Sequence, residues 1–221
     1  MVSIAIDGPA GAGKSTIAKR VAKELSYIYV DTGAMYRAMA LYLYRNGIDA
    51  EDAQTIAGAC GGAKISIEYR DGEQVVLLGG ENVNPFLRTQ EVSAMASRSS
   101  AVPEVRTRLV QLQQELAAAQ NVVMDGRDIG TVVLPHAQVK IYLTASVGVR
   151  AKRRFLELQE KGESPVLSQI EAEIAERDHR DMTREVSPLK QADDAVLVDT
   201  SDMTIEEVSD RILSIVREKL S

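Results

Sequence analysis

The stretch Val2-Ser-Ile-Ala-Ile-Asp7, continued by Gly8-Pro-Ala-Gly-Ala-Gly13-Lys14-Ser15, decides the reading of this chain. Residues 8–15 fit the Walker A pattern, G-x-x-x-x-G-K-[ST], at every constrained position. Ile17, Val21 and Leu25 then recur every four residues, so an apolar strand leads into the loop and an amphipathic helix leads out. That context gives each residue type a physical task. Glycines let the backbone wrap closely and aim its N–H groups inward. The helix N-terminus adds partial positive charge. Lys14 is placed to reach β and γ phosphates, and the Ser15 hydroxyl to bind Mg²⁺. A nucleoside triphosphate is the expected ligand.

Four further β-branched runs stand apart: Tyr27–Asp31, Val122–Asp125, Val139–Thr144 and Ala195–Asp199. Each has the length of a buried strand. Helical spacing lies between them, as in Val105, Leu109, Leu112 and Leu116 behind Pro103. The last helix carries Ile205, Val208, Ile212, Ile215 and Leu220 and opens on a capping box, Thr204 with Glu207. Strands alternating with helices imply a parallel sheet covered on both faces. Two segments break the alternation. Lys64–Arg70 alternates with period two, Asp71-Gly72 signals a hairpin, and Glu73–Gly79 follows, so about 62–90 forms a small antiparallel insert. From about 149 to 184 the chain is charged and helical with little core, interrupted by Gly162 and Pro165, the pattern of a mobile lid. The expected fold is α/β: a P-loop NTPase-type parallel five-stranded sheet flanked by helices, with an antiparallel β insert and a helical lid. One domain spans 1–221, its core formed by 1–61, 91–148 and 185–221.

Composition narrows the function. The 221 residues are 45% hydrophobic and 26% charged, ordinary globular usage that excludes a collagenous or wholly disordered chain. A net charge of −6 argues against coating nucleic acid through bulk charge, so an anionic ligand must be held by local basic groups. The lone Cys60 permits no internal disulfide and fits a reducing, cytoplasmic setting. No apolar run approaches the roughly 20 residues that span a bilayer, and no signal segment is visible. No exposed apolar stripe stands out, so a monomer is the default.

A second anion site is legible in the arginines. Arg37 follows the second strand in Asp31-Thr-Gly-Ala-Met-Tyr-Arg37, and Arg127 follows the third in Asp125-Gly-Arg127-Asp128. Both loops leave the carboxyl edge, where open α/β sheets bind ligands. The lid adds Arg150, Arg153, Arg154, Arg177, Arg180 and Arg184, whose planar forks match phosphate oxygens. A second phosphate-bearing molecule is therefore expected to face the triphosphate. The absence of an Asn-Lys-x-Asp motif argues against a GTPase and leaves small-molecule and nucleotide kinases.

With these motifs quoted, the chain resembles the bacterial cytidylate kinases, within the nucleoside monophosphate kinases. The resemblance is carried by Ile6–Ser15, Asp31–Arg37, Arg88-Thr-Gln-Glu-Val92, Asp125-Gly-Arg-Asp-Ile-Gly-Thr131 and Glu176-Arg-Asp-His-Arg-Asp181. It implies transfer of the γ-phosphate of ATP to CMP, and to dCMP, with Mg²⁺. It further implies that Gly8, Pro9, Ala10, Gly11, Ala12, Gly13, Lys14, Ser15 and Thr16 hold ATP, with Ser15 on the metal. Arg37, Arg127 and Arg184 would clamp the CMP phosphate, Lys14, Arg127 and Arg184 acting in catalysis. Ser97, Arg106 and Asp128 would read cytosine, and Arg177 and Asp181 the sugar hydroxyls. Thr32 stands where the family often has serine and keeps the hydroxyl.

The base assignment has a chemical check. Cytosine offers an N4 amine that a carboxylate accepts, whereas uracil opposes Asp128 with an acceptor. The nucleophile is a CMP phosphate oxygen, largely ionised at neutral pH because its second pKa is about 6, so no general base is needed. Alignment, charge neutralisation and exclusion of water are then the tasks of the protein. Asp125 or Asp31 could support a magnesium-bound water, and the sequence does not choose between them. His136, His179 and Cys60 have no part in the scheme. The rival readings are a kinase for UMP, AMP or a small alcohol such as shikimate, and a nucleotide-dependent switch without an acceptor.

Overall fold

The computed structural model describes all residues from Met1 to Ser221. In chain order the elements are β1 (Ser3–Asp7), α1 (Lys14–Leu25), β2 (Ile28–Asp31), α2 (Thr32–Arg45), α3 (Ala53–Ala59), β3 (Ile65–Arg70), β4 (Glu73–Leu78), β5 (Glu81–Asn82), α4 (Gln90–Ser99), α5 (Pro103–Ala119), β6 (Val122–Gly126), β7 (Val139–Thr144), α6 (Val147–Glu160), α7 (Leu167–Thr183), β8 (Val196–Asp199) and α8 (Ile205–Leu220). All five β-branched runs form strands, and they make one sheet in the order β2-β6-β1-β7-β8; β3-β4-β5 make a second, antiparallel sheet. The chain falls into two compact units. One comprises Met1 with Ile28–Val122, the other Val2–Tyr27 with Val123–Ser221.

In the second unit, β1 pairs with β7 in parallel from Ile4 opposite Val139 to Asp7 opposite Tyr142, and β7 pairs in parallel with β8. Ile4, Ile6, Met124, Ile141 and Leu143 are buried, as strands covered on both faces require. α8 starts on the anticipated capping box: Thr204 Oγ1 accepts from the Glu207 amide and Glu207 accepts from the Thr204 amide. Its apolar stripe is shorter than the spacing indicates. Val208, Ile212, Leu213, Ile215 and Val216 are buried, while Ile205 and Leu220 at the two ends are exposed. Burying a side chain such as Ile212 contributes about 1.5–3 kcal/mol. α6 begins two residues earlier than the charged segment implied, because Ser146 Oγ caps it by accepting from the Val149 amide.

In the first unit, β3 and β4 pair from Ile65 opposite Leu78 to Arg70 opposite Glu73. Asp71 and Gly72 both take positive φ, 53° and 79°, the geometry of a tight hairpin turn. The insert gains a short third strand, β5, which the hairpin signal did not reveal. α5 starts at Pro103, yet its buried face runs Val105, Arg106, Leu109, Gln113, Ala117, whereas Leu112 and Leu116 are only half-buried. No helix is long and apolar enough to cross a membrane.

Candidate active site

The loop after β1 is shaped by contacts that only small residues permit. A Cβ on Gly8 would lie 1.9 Å from the Leu143 carbonyl oxygen, and Gly8 has φ of 147°. Lys14 opens α1, and its Nζ donates to the Pro9 carbonyl at 2.7 Å. Burial pushes its ammonium down to about 7, helped by the positive charges of Arg127 and Arg177 and opposed by Asp125 and Asp7. Next to it, Ser15 Oγ donates to Asp125 Oδ2 at 3.0 Å. Asp125 sits near the end of β6, so a hydroxyl from the first turn of α1 and a carboxylate oxygen from a strand end, 110 residues apart in sequence, face one another.

The β6 loop carries the arginine–carboxylate part of the second unit. Arg127 Nε donates to Asp181 Oδ2 at 2.9 Å, joining this loop to α7. Arg184, just beyond α7, lies 3.7 Å from Asp181 Oδ1 and 3.8 Å from Asp128 Oδ1 and donates through Nε to the Ser187 carbonyl. Burial raises the Asp181 carboxyl, but Arg127, Arg177 and Arg184 outweigh it and hold the group below the usual aspartate range. Arg177 belongs to the same field, since it acts on both Lys14 and Asp181. The expected Lys14, Ser15, Arg127, Asp128, Arg177, Asp181 and Arg184 thus share one unit, and Asp125 joins them.

Several lid arginines have other duties. Arg150 is buried and spends all three guanidinium nitrogens on the protein: on the Ala145 carbonyl at 2.8 Å, the Ala10 carbonyl at 2.9 Å and Asp178 Oδ2 at 2.6 Å. It is a strut between the phosphate loop and α7. Arg153 binds the Thr200 carbonyl, Arg154 pairs with Glu157, and Arg180 pairs with Glu176. His136 and His179 are exposed, and Cys60 is buried with its thiol on the Ala57 carbonyl.

The first unit holds Thr32, Arg37, Ser97 and Arg106. Asp31 caps α2 by accepting from the Ala34 amide at 2.8 Å and pairs with Arg37 at 3.3 Å. Asp31 is thus engaged as the cap of α2 and as the partner of Arg37. Thr32 is buried at the first turn of α2, and Ser97 is half-buried on α4. Arg106 lies over the Tyr36 ring at 5.3 Å and donates to the Ser100 carbonyl at 3.0 Å. Two residues here escaped sequence reading. Tyr36 supports Arg106, and Gln74 of β4 grips the Asp31 backbone twice, accepting from its amide at 2.8 Å and donating to its carbonyl at 3.2 Å.

Asp7 is the last residue of β1. Its carboxylate is buried and accepts from the Ile129 and Gly130 amides at 2.8 and 2.7 Å. Burial pushes it up to about 6 against the pull of those amides and of Lys14, with Asp128 adding to the rise.

A family model described as cytidylate kinase matches residues 4–218. The chain is 49% identical to a cytidylate kinase of Lactobacillus johnsonii over 219 residues, covering 99% of this chain and 95% of that protein. It is 51% identical to a cytidylate kinase of Caldicellulosiruptor bescii over 214 residues, covering 97% and 95%. Among solved structures, a shikimate kinase of Bacteroides thetaiotaomicron matches with a TM-score of 0.50 at 13% identity over 98% of both chains. That last likeness concerns the fold alone.

Proposed function

Because the chain belongs to the cytidylate kinase family, we propose how its own residues transfer the γ-phosphoryl group of ATP to CMP, or to dCMP, giving ADP and the nucleoside diphosphate. The observation that carries the reading lies within the second unit: Lys14 of the phosphate loop sits in the field of Arg127 and Arg177, whose partner Asp181 also faces Arg184. One group of side chains is thereby equipped for two anionic substrates.

In this reading residues Gly8 to Thr16 hold the triphosphate, with loop amides and Lys14 on its oxygens. Burial and the nearby arginines hold the Lys14 ammonium well below the usual lysine range, and a polyphosphate on the loop favours its charged form by direct charge contact. Arg37, Arg127 and Arg184 clamp the CMP phosphate, whose ionised oxygen attacks the γ-phosphorus. The two arginines of the second unit are held in place by Asp181 and Asp128, so their forks are oriented before substrate arrives. Lys14, Arg127 and Arg184 neutralise the charge spread over the transferring group. Asp128 accepts from the cytosine N4 amine, with Ser97 and Arg106 completing base recognition. Asp181, kept ionised, accepts from the sugar hydroxyls alongside Arg177.

Ser15 Oγ and Asp125 Oδ2 are hard oxygen donors, and one carboxylate plus a hydroxyl suits Mg²⁺, which keeps several waters beside substrate phosphates. When bound, the ion supplies charge neutralisation on the β and γ oxygens. We assign residues 62–90 as a monophosphate-side insert and 149–184 as a closing lid of one kinase domain. A cytoplasmic monomer that binds neither nucleic acid nor membrane fits the net charge of −6 and the single cysteine.

The deciding experiment measures ADP release with CMP, dCMP, UMP, AMP and shikimate in turn. CMP and dCMP should be the efficient acceptors. Asp128→Ala should lower the CMP/UMP ratio of kcat/KM by about tenfold or more, since a buried acceptor facing an acceptor is what rejects uracil. ADP release at the same rate without any acceptor would instead support the nucleotide switch, and equal rates on UMP and CMP would remove Asp128 from base reading.

A further inference from the structure

We propose that Asp7 is a positioning residue for acceptor recognition: it holds the backbone of Ile129 and Gly130 and thereby aims Arg127 and Asp128. The proposal rests on reading those two side chains as CMP contacts.

The geometry begins with an unusual turn. Asp128, two residues beyond the end of β6, has φ −145° and ψ 24°, neither strand nor helix. The chain then makes a single π-helical turn, in which the Val133 amide reaches the Asp128 carbonyl at 3.1 Å and the Leu134 amide reaches the Ile129 carbonyl at 2.7 Å. Such turns are rare and occur often at functional sites. The first amides of any helical turn lack acceptors within it. Here the amides of Ile129 and Gly130, directly after Asp128, both point at Asp7, and each takes one carboxylate oxygen. A negative charge at the start of a helical turn is also favoured by the peptide dipoles.

An aspartate is a costly way to fill this place, because Asp7 is 5% exposed and a buried carboxylate loses its hydration. A neutral amide of the same shape offers only one acceptor atom and would turn its NH₂ group against the second N–H. The two-oxygen fork is therefore what the turn needs. The other side of the turn is equally constrained. A Cβ on Gly130 would stand 3.3 Å from Asp7 Oδ2 and 3.1 Å from Lys140 Cδ, so no larger residue fits without displacing the pair. Lys140 is itself fixed by the Pro135 carbonyl and Asp194. The peptide after Asp128 is thus gripped from β1 and walled by β7. Arg127 and Asp128, the two residues before it, gain a defined direction toward Asp181 and Arg184. No step of the phosphoryl transfer uses Asp7, which leaves this buried charge otherwise without a task.

The test compares wild type, Asp7→Asn and Asp128→Ala in steady-state kinetics, with hydrogen exchange read at the Ile129 and Gly130 amides. Asp7→Asn should raise the KM for CMP at least tenfold, lower the CMP/UMP ratio at least fivefold, move the KM for ATP less than threefold, and speed exchange at the two amides. Gly130→Ala, which crowds the same contact while leaving the Asp7 charge intact, should show the same CMP-selective defect and serves if Asp7→Asn is poorly folded. Equal losses toward ATP and CMP would mark Asp7 as a general support of the β1 end and overturn the proposal, as would unchanged CMP kinetics. If Asp128→Ala leaves the CMP/UMP ratio intact, the base-reading assignment fails instead; exchange and the KM for CMP in Asp7→Asn then still decide whether Asp7 aims Arg127.

Discussion

Binding of ATP should take up a proton, and the proton should go to Lys14. In the free protein, burial, then Arg127, pushes the Lys14 ammonium from 10.5 down to about 7. At pH 8 such a group is only about one-tenth protonated, and at pH 6 about nine-tenths. A triphosphate on the loop restores the charged form by direct contact. The expected uptake therefore approaches one proton per ATP at pH 8, where the ATP phosphates are already ionised, and declines as the pH falls through 7. The sign follows for affinity: the bound state holds more protons, so the ATP association constant falls as pH rises, by nearly tenfold per unit between about pH 8 and pH 9. Calorimetric titrations with ATP in two buffers of different ionisation enthalpy read the uptake directly as the slope of observed enthalpy. Lys14→Met should abolish the slope at pH 8. Arg127→Met removes a positive charge that disfavours the Lys14 ammonium, so its uptake at pH 8 should be smaller. A slope near zero for the wild type at pH 8, or one that survives in Lys14→Met, would refute the idea that burial keeps this lysine near neutrality.

Two further substitutions probe contacts outside the reacting groups. Arg150→Met leaves Asp178 buried without its partner and unties the Ala10 and Ala145 carbonyls, so urea unfolding should show a loss of about 3–5 kcal/mol, with partial recovery in Arg150→Met/Asp178→Leu; a loss under about 1 kcal/mol would dismiss the strut. Gln74→Ala removes both side-chain bonds to the Asp31 backbone, each worth about 1 kcal/mol, and should raise the KM for CMP about three- to tenfold through Arg37 while sparing the KM for ATP; an unchanged KM for CMP would confine Gln74 to holding the insert.

What the sequence alone determined is local or periodic. The phosphate loop is eight adjacent residues whose backbone demands are written in their glycines. The β-branched runs, the Asp71-Gly72 turn and the Thr204–Glu207 cap are likewise short-range patterns, and each appears in the structure within a residue or two. Arginine-bearing loops at strand ends were legible because a parallel sheet places its ligands there. What only the tertiary structure decided is which distant groups meet. Ser15 meets Asp125 across 110 residues, and Asp7 receives amides 122 and 123 residues away. Arg150 looks in sequence like any lid cation, yet folding buries it against two carbonyls and a carboxylate. α8 carries an apolar stripe from Ile205 to Leu220, but folding leaves both ends in solvent. Spacing along one element records which face is apolar; it carries no trace of what lies opposite, because a hydrogen bond between strands or helices is set by their packing and leaves no period in the chain.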